Sequence, residues 1–449
     1  MKLFSYLRFL RFSHAALAVF LFISCTGSST QAKTSDNQML FISVLQGNLV
    51  QTEKMLKEGA SPETSGVSGN SLLSTACHAS NGEMVDLLLK YNANPNNPNK
   101  DGSIPLNFAF KPFILKKLID KGADIYQVSK KSGETAFESW CSASSHVTTE
   151  AQKQEIIKIL KMQNIKVNRN HLEKTQFISD SDVSEILKLY LARGYDLNRS
   201  FNKDNNMPIH FAAIQDNYYL MHKLLALGAK ANFKNNTVME PLNIIANIKN
   251  SKRSEAEFKT LLAKLLAAGA DINTTDNEGD TPLHNTADVD NIGKVRVILS
   301  TKGIDIHKKG YYGETVLFRA KNLAMTKLLV SSGLNVNESN KYNVTPIFNI
   351  TDPASVRYLI QKGANINHLD DDNQNVLLSD MRNAYNALRY GASSEELDRR
   401  YLEKVKILIA NGIDVNNKSK KTDYTPLYFA ERAEMDKTIA VLKKAGARK

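Results

Sequence analysis

Asn277–Asn291 reads NEGDTPLHNTADVDN and predicts the structural unit from which the chain is built. Gly279 permits a tight turn. Thr281 and Pro282 are typical of a helix start, with threonine as the N-cap and proline in the first turn. The segment KVRVILSTKG that follows predicts a second helix ending at Gly303, which suits a left-handed C-cap. The stretch therefore predicts two short helices joined by a turn.

The same unit recurs along the chain, and the residue that ends each second helix allows the copies to be counted. Glycine holds this place at Gly59, Gly122, Gly194, Gly228, Gly269, Gly303, Gly333, Gly363, Gly412 and Gly446, and asparagine at Asn92 and Asn164. Asparagine also tolerates a left-handed backbone, so these two positions fit the register. Most neighbouring caps lie 30 to 34 residues apart. The count gives twelve units over residues 37–449.

This pattern strongly resembles the ankyrin repeat, whose TPLH signature is complete at Thr281–His284. The resemblance implies an all-α ankyrin-repeat solenoid of about twelve helix-turn-helix repeats with β-hairpin-like loops. It also implies a binding scaffold, because the family shares an architecture and no common chemistry. We expect a protein partner on the concave face formed by hairpins and first helices.

Residues 1–24 are typical of a secretory signal peptide that is removed from the mature chain. A basic start precedes Phe12–Ile23, an apolar run too short to span a bilayer comfortably. The sequence FISC, which ends at Cys25, resembles a bacterial lipoprotein processing site and implies that Cys25 carries lipid. Phe22 departs from that pattern, in which leucine is usual at this place.

Residues 25–36 are polar and of low complexity, which predicts a flexible tether between the lipidated cysteine and a repeat array at 37–449. We therefore expect a membrane-anchored lipoprotein of the bacterial cell envelope. The alternative is a plain signal peptide whose removal releases a secreted protein, with Cys25 incidental.

Three repeats are longer than the others between their two helices. The added residues are polar and include 142–150, 250–255 and 385–396. Insertions in solenoids map to loops on one face and often carry binding differences. The alternative is that they lengthen helices or lie in solvent.

The chain is basic, with a formal net charge of +12 over 449 residues. Loss of Lys2, Arg8 and Arg11 with the signal peptide would leave about +9. The lysines are spread along the whole array instead of forming a strip with interleaved aromatic residues, which argues against nucleic acid as a partner. An acidic protein or an anionic membrane surface fits this charge better.

Motifs for catalysis and for binding of a metal or cofactor are absent from the sequence. It contains no HExxH, GxxxxGK[ST], GxGxxG or GxSxG. For His210 and His284, which lie in the repeat signature, the resemblance implies structural hydrogen bonds between neighbouring hairpins. Asp370–Asp372 is an acidic run in a hairpin, and a solvated turn fits it better than a calcium site. We expect a protein that is not an enzyme and uses no metal or cofactor.

Cys77 and Cys141 occupy equivalent first helices two repeats apart. Helix layers spaced by about 8–10 Å place the two thiols about 20 Å from each other. A disulfide requires Cα atoms within about 7 Å, so we expect two free, buried cysteines.

The hairpin row carries the candidate partner-binding residues. Tyr312 and Tyr342 hold equivalent positions in adjacent repeats, and tyrosine is a frequent interface anchor. The predicted contact residues are Tyr311, Tyr312, Tyr342, Tyr424, Lys203 and Lys341. The alternative is that the tyrosines only cover neighbouring turns.

The predicted function is that of a monomeric, non-enzymatic protein-binding scaffold held at the cell envelope. One alternative is a secreted ankyrin effector that acts on a host or competitor protein. Another is an enzyme or enzyme inhibitor that uses the insert at 385–396. That insert contains tyrosine, arginine and glutamates but no pairing of a nucleophile with a base.

Overall fold

The computed structural model describes residues 36–66, 69–143 and 180–449. Within these ranges all regular elements are helices, and extended pairing is limited to isolated bridges between Ser65 and Ser71 and between Val128 and Thr135. The described helices form eleven successive pairs of a first and a second helix. A short connection joins the two helices in every pair except Ala136–Ala143 and Asp180–Ala192, whose intervening residues lie outside the described ranges.

The first helices share a position on the hairpin side of the molecule, and the second helices pack behind them. The first helices are α1 Asp36–Leu45, α3 Leu72–His78, η1 Pro105–Phe108, α6 Ala136–Ala143, α8 Pro208–Ile214, α10 Pro241–Ala246, α12 Pro282–Asp288, η3 Val316–Arg319, α15 Pro346–Asn349, α17 Val376–Arg389 and α19 Pro426–Arg432. The second helices are α2 Leu49–Lys57, α4 Gly82–Lys90, α5 Pro112–Asp120, α7 Asp180–Ala192, α9 Tyr218–Ala226, α11 Glu255–Ala267, α13 Ile292–Leu299, α14 Leu323–Ser331, α16 Pro353–Gln361, α18 Ser394–Ala410 and α20 Asp436–Lys444. A further 3-10 turn, η2 Tyr311–Gly313, lies in a hairpin.

Two kinds of side-chain N-cap recur at the starts of these helices. In α12 the Thr281 hydroxyl accepts a hydrogen bond from the backbone N–H of His284, and Pro282 occupies the first turn. Five of the second helices begin instead at an asparagine whose side chain accepts a backbone N–H three residues later. This cap occurs at Asn48, Asn81, Asn217, Asn291 and Asn322.

The stack is held by apolar side chains between layers. Each first helix packs on the next first helix in an unbroken row from α1 to α19. In the signature repeat Leu283 and Ala287, four residues apart on one helix face, are buried, as are Val295 and Ile298 of the second helix. These observations confirm the predicted all-α solenoid of helix-turn-helix repeats.

The count of twelve repeats is not confirmed. In the first-helix row α6 packs directly on α8, and α7 packs on α5 in the second-helix row. The Tyr190 ring of α7 lies 4.6 Å from the Phe137 ring of α6, so these two helices form one pair. Tyr126 also donates a hydrogen bond to the carbonyl of Gly194 at 2.7 Å, which joins the successive caps Gly122 and Gly194. The unit predicted to end at Asn164 lies outside the described residues.

The insert at 385–396 lengthens two helices instead of forming a loop. α17 and α18 contain 14 and 17 residues and meet at a turn around Gly391. Between them lies a fully buried ion pair, with Lys404 Nζ 3.0 Å from Asp380 Oδ2. The Lys404 ammonium also donates to the carbonyl of Ile347 at 2.9 Å. Burial raises the pKa of the Asp380 carboxyl to about 6.

The other inserts differ from this one. Residues 250–255 form a turn that leads into α11, a second helix of 13 residues. Most of the insert at 142–150 lies outside the described residues, as do the signal peptide, Cys25 and almost all of the tether. No helix in the described ranges has both the length and the apolar character needed to cross a membrane.

The cap and cysteine predictions are confirmed where they can be seen. Asn92 has a φ of 62°, in the same left-handed region as the glycine caps. Neither Cys77 nor Cys141 forms a disulfide with a described residue, and both are buried. Burial raises the pKa of both thiols well above the usual range, which keeps them as inert, uncharged packing groups.

Candidate partner-binding site

The hairpins between repeats share one hydrogen-bonding pattern. An Asn or Asp at the start of the turn accepts from the backbone N–H groups two and four residues later. Asn340 Oδ1, for example, accepts from Tyr342 at 2.9 Å and from Val344 at 3.0 Å. The same pattern occurs at Asn99, Asn202, Asn235, Asp276 and Asp370. Each of these turns is thus fixed by its own first side chain.

The hairpin at 310–314 is built differently because its first residue is Gly310. Here the Asp280 carboxylate of the preceding repeat enters the turn, and its Oδ1 accepts from the Tyr311 N–H at 2.8 Å. In the hairpins at Lys341 and Asp371 the equivalent N–H donates instead to a backbone carbonyl of the preceding hairpin. A β-carbon at Gly310 would collide with this carboxylate oxygen. Glycine at position 310 therefore makes room for a contact between repeats that positions Tyr311.

The backbone of the same hairpin is strained at Tyr312. Its φ is 56°, and Gly313 follows at 73°. In the neighbouring hairpins the left-handed residue comes one position later, at Gly279 and Asn343. A left-handed conformation at a residue with a large side chain costs about 1–3 kcal/mol, so the surrounding packing must hold it.

Three tyrosine rings form an exposed surface at this point, which we call the tyrosine ledge (Tyr311, Tyr312 and Tyr342). Ring centroids are 3.7 Å apart between Tyr311 and Tyr312, and 5.3 Å apart between Tyr312 and Tyr342. Their exposed fractions are 37%, 37% and 47%. The Tyr311 hydroxyl donates to the Tyr312 hydroxyl at 2.5 Å, and this hydrogen bond is the main cause that raises the pKa of Tyr311 to about 12.

Lys341 joins the ledge through its charge. Its Nζ lies 4.4 Å from the centre of the Tyr312 ring and 5.2 Å from that of Tyr342. A cation at this distance from an aromatic face is attracted by the electron-rich ring. The ledge therefore already holds one ammonium group.

Two of the six predicted contact residues lie elsewhere. Tyr424 stacks on Tyr428 in the last repeat, with ring centroids 3.8 Å apart and planes 3° apart. Lys203 lies in the hairpin before α8, where its carbonyl accepts from the Asn236 side chain at 2.6 Å. The structure thus brings together Tyr311, Tyr312, Tyr342 and Lys341. Their role in binding a partner stays a prediction.

A polar cleft of about 340 Å³ opens beside the ledge, between the hairpins and the first helices α12 and η3. It is lined by Met239, Asn247, Asp276, Asn277, Glu278, Asp280, Asn285, Asp288, Tyr311 and Arg319. Four of these residues carry carboxylates and one carries a guanidinium. We call this feature the acidic cleft.

The charged side chains of the acidic cleft differ in their burial and in their partners. Arg319 lies 3.1 Å from Asp280 and 3.5 Å from Glu314, so its charge is already neutralised. Asp276 is buried and accepts from the Asn285 amide at 3.1 Å. By contrast, Glu278 and Asp288 are exposed side chains of the cleft lining. Asp288 also has an exposed ion pair with Lys321 at 3.3 Å.

The signature histidines have the structural role that the sequence predicted. His210 Nδ1 accepts from the Met207 N–H at 3.0 Å, and Nε2 donates toward the carbonyls of Phe233 and Met239 at 3.0 and 3.2 Å. His284 Nε2 likewise lies 3.2 Å from the carbonyl of Glu314 in the next hairpin. Burial lowers the pKa of His210 to about 4 and also lowers that of His284. Neutral histidine thus links adjacent repeats.

The other polar candidates are engaged in the turns themselves. Asp370 accepts two backbone N–H groups, and Asp372 forms an ion pair with Lys421 at 2.7 Å. Among the residues that the structure describes, no group of three His, Cys, Asp or Glu side chains is arranged to hold a metal ion.

The acidic cleft and the role of Asp280 were missed from the sequence. The available signal was Gly310, which stands where neighbouring hairpins have Asn or Asp. Recognising this departure would have indicated that the turn at Tyr311 lacks the side-chain acceptor of its neighbours and is built differently.

Comparison with known families identifies two stretches of the chain. Residues 254–340 match the profile of ankyrin repeats in three copies, and residues 68–100 match the single ankyrin repeat. The first match includes Tyr311, Tyr312 and the acidic cleft from Asp276 to Arg319. The chain therefore contains ankyrin repeats, which indicate a protein–protein interaction scaffold.

Two individual proteins are similar to a short stretch of the chain. The inactive serine/threonine-protein kinase TEX14 of Mus musculus is 35% identical over 83 residues, and that of Bos taurus is 35% identical over 85 residues. Each match covers 18% of this chain and 6% of the relative, so the chain spans a small fraction of these relatives' length.

Two solved ankyrin structures match part of the chain. The ankyrin repeat domain of Bcl-3 is 24% identical, with a TM-score of 0.38, and the match covers 54% of this chain and 100% of that domain. The human ASB11 ankyrin repeat domain is 16% identical, with a TM-score of 0.43, covering 59% and 98%.

Proposed function

We propose that this protein is a non-enzymatic scaffold that binds a protein partner through the tyrosine ledge and the first-helix face beside it. The observation that carries the proposal is the packing of three exposed tyrosines on two adjacent hairpins. Tyrosine combines a large rigid face with one hydroxyl, which makes it a frequent anchor at protein interfaces.

The local backbone supports the same proposal. Tyr312 is held in a left-handed conformation, and Gly310 is needed for the approach of Asp280. Strained residues persist where the surrounding structure holds them, and they cluster at functional sites. Both features bring the rings of Tyr311 and Tyr312 onto one surface before any partner arrives. A preformed surface reduces the ordering that binding requires.

Site-specific photocrosslinking tests this proposal. A photoreactive phenylalanine at position 312 or 342, in cells that naturally produce the protein, should capture a discrete partner. The matched control is the same group at Tyr390, which is 93% exposed but lies at the α17–α18 turn. Equal capture from all three positions, or none from 312 and 342, would contradict the proposal.

Affinity measurement with the captured partner then tests the ledge itself. A Tyr312→Ala/Tyr342→Ala variant should bind at least about tenfold more weakly, because anchor residues each contribute more than about 1 kcal/mol. The Tyr390→Ala variant should bind as the wild type does. Unchanged affinity of the double variant would show that the contact surface lies elsewhere.

We further propose that Cys25 tethers the array to a membrane of the bacterial envelope. Support comes from the sequence FISC and from the polar residues 26–36 that follow it. A single acyl chain binds a membrane weakly, so stable anchoring requires more than one chain. The mass of the mature N-terminus should show a diacylglyceryl group on Cys25, and Cys25→Ser should release the protein. An unmodified N-terminus beyond Cys25 would favour the secreted alternative.

A further inference from the structure

We infer that the acidic cleft binds a basic segment of the protein partner, with an arginine or lysine side chain entering beside Tyr311. This inference rests on the proposed function and specifies the partner's chemistry at that site. It departs from the acidic partner that the net charge of the whole chain favours, because the charge of the cleft is opposite to that of the chain.

The first observation is the charge balance of the lining. The cleft carries carboxylates at Asp276, Glu278, Asp280 and Asp288 against one guanidinium, Arg319. The guanidinium of Arg319 forms ion pairs with Asp280 and with Glu314. Glu314 is a further carboxylate that is not part of the lining. The ammonium of Lys321, paired with Asp288 at the edge, is exposed and can be displaced at little cost. An acidic segment would place its carboxylates against this excess of negative charge.

The second observation is aromatic and independent of the carboxylates. Tyr311 belongs both to the cleft lining and to the tyrosine ledge. In the ledge an ammonium, that of Lys341, already lies over two ring faces. Those two faces belong to Tyr312 and Tyr342, and the Tyr311 ring that lines the cleft packs against Tyr312. Tyrosine faces attract cations, and guanidinium groups are especially suited to such stacking. An arginine that enters the cleft finds a tyrosine on one side and carboxylates on the other.

The third observation concerns which carboxylates are available. Asp276 and Asp280 are buried and fixed in the turns by backbone N–H groups. Glu278 and Asp288 are exposed side chains of the cleft lining, so they can turn toward an incoming cation. The buried pair supplies fixed negative potential, and the exposed pair supplies the direct contacts.

Fluorescence anisotropy with two labelled peptides tests the inference on the full chain near physiological salt. An oligo-arginine peptide should bind more tightly than an oligo-glutamate peptide of the same length, despite the net charge of +12. The Glu278→Lys/Asp288→Lys variant should bind oligo-arginine about tenfold more weakly, since each reversed contact removes an attraction and adds a repulsion. The milder Glu278→Gln/Asp288→Asn variant should bind oligo-arginine with an affinity between those of the wild type and the charge-reversal variant.

A matched control separates the cleft from general electrostatics. Asp204→Lys/Glu395→Lys makes the same change of net charge at two exposed positions away from the cleft, and Asp204 is the hairpin equivalent of Glu278. This control should bind oligo-arginine within about twofold of wild type. Equal weakening in the control and the cleft variant, or tighter binding of oligo-glutamate, would overturn the inference.

The two proposals fail separately. Capture of a partner from positions 312 and 342, together with no cleft-dependent binding of oligo-arginine, would leave the scaffold function standing and overturn the basic-segment inference. Circular dichroism of each variant shows whether the fold is intact. The exposed positions of Glu278 and Asp288 make an intact fold the expected result.

Discussion

Single residues in this protein act by contacts that cross from one repeat to the next. His210 illustrates this, because its ring accepts from its own N-cap and donates to the following hairpin. Asn243 and Asn107 hold the same helix position in other repeats and accept the same N-cap N–H, at 3.1 and 2.9 Å. Histidine adds a second hydrogen bond, from Nε2 to the following hairpin. Because its ring can be protonated, this link is sensitive to pH.

We predict that acid weakens the fold through His210. Its pKa is about 4 in the fold and 6.5 when unperturbed, so the neutral ring stabilises the fold fully above pH 6.5 and progressively less as the pH falls toward 4. The free energy of unfolding should fall by about 2 kcal/mol from this group between pH 7 and pH 5. Urea unfolding at both pH values checks this.

The control for the pH prediction uses an asparagine substitution. His210→Asn keeps the acceptor for the N-cap, as Asn243 does, and should show a smaller loss of stability on acidification. The exposed His307→Asn should keep the wild-type pH dependence. A steep acid loss that persists in His210→Asn would place the effect in other groups.

We also predict that Gly310→Ala disrupts the tyrosine ledge. The new methyl group would displace the Asp280 carboxylate and leave the Tyr311 N–H without its acceptor, at a cost of about 1–3 kcal/mol. Thermal unfolding should shift down, and crosslinking from position 312 should fall. Gly293→Ala, a helical glycine in the preceding repeat with an ordinary contact of 3.4 Å at the added carbon, should be tolerated.

At the scale of the element, the longest helix pair shows why an insert could not be assigned from sequence. Residues 385–396 are polar and look like a loop, yet they extend α17 and α18. The two extended helices are joined by the buried pair of Lys404 and Asp380, two residues 24 apart in sequence. The local composition does not reveal such a long-range contact. The glycine caps and N-caps depend on neighbouring residues, so they were predictable.

The extended α18 also caps the last helix. The N-cap residue Met435 has no side-chain hydrogen bond to α20. Instead, Asp398 of α18 accepts from the N–H groups of Lys437 and Thr438, each at 3.0 Å. α18 therefore has a structural role in the final repeat through Asp398, just beyond the insert.

We predict that Asp398→Ala loosens the last helix pair. Loss of a carboxylate cap should cost about 1–2 kcal/mol. Hydrogen exchange should accelerate in Asp436–Lys444. Glu395→Ala, an exposed change on the same helix, should leave that exchange nearly unchanged. Unaltered exchange in Asp398→Ala would show that packing alone holds α20.

At the scale of the whole molecule, the register of the repeats predicts one part of the candidate site, the pair of tyrosines, but not the acidic cleft. Equivalent positions in a repeat lie side by side in the stack, so the register alone brought Tyr312 and Tyr342 together. Tyr424, which lies two residues further along in the last repeat, stacks on Tyr428 within its own repeat. The acidic cleft arises from side chains of several repeats and from one exception to the turn pattern, so no single repeat predicts it.

The linear stacking of the repeats also predicts how far the effect of a destabilising substitution spreads along the chain. Each repeat contacts its neighbours, so an end can fray alone, whereas a weakened interior layer removes support on both sides. Leu283→Ala, at a buried position of α12, should cost about 2–5 kcal/mol. Hydrogen exchange should then accelerate in the α10 and η3 layers as well as in α12, and crosslinking from position 312 should weaken. Asp398→Ala, confined to the last layers, should leave that crosslinking intact. Loss of crosslinking in both variants to the same degree would mean that the array unfolds as one cooperative unit.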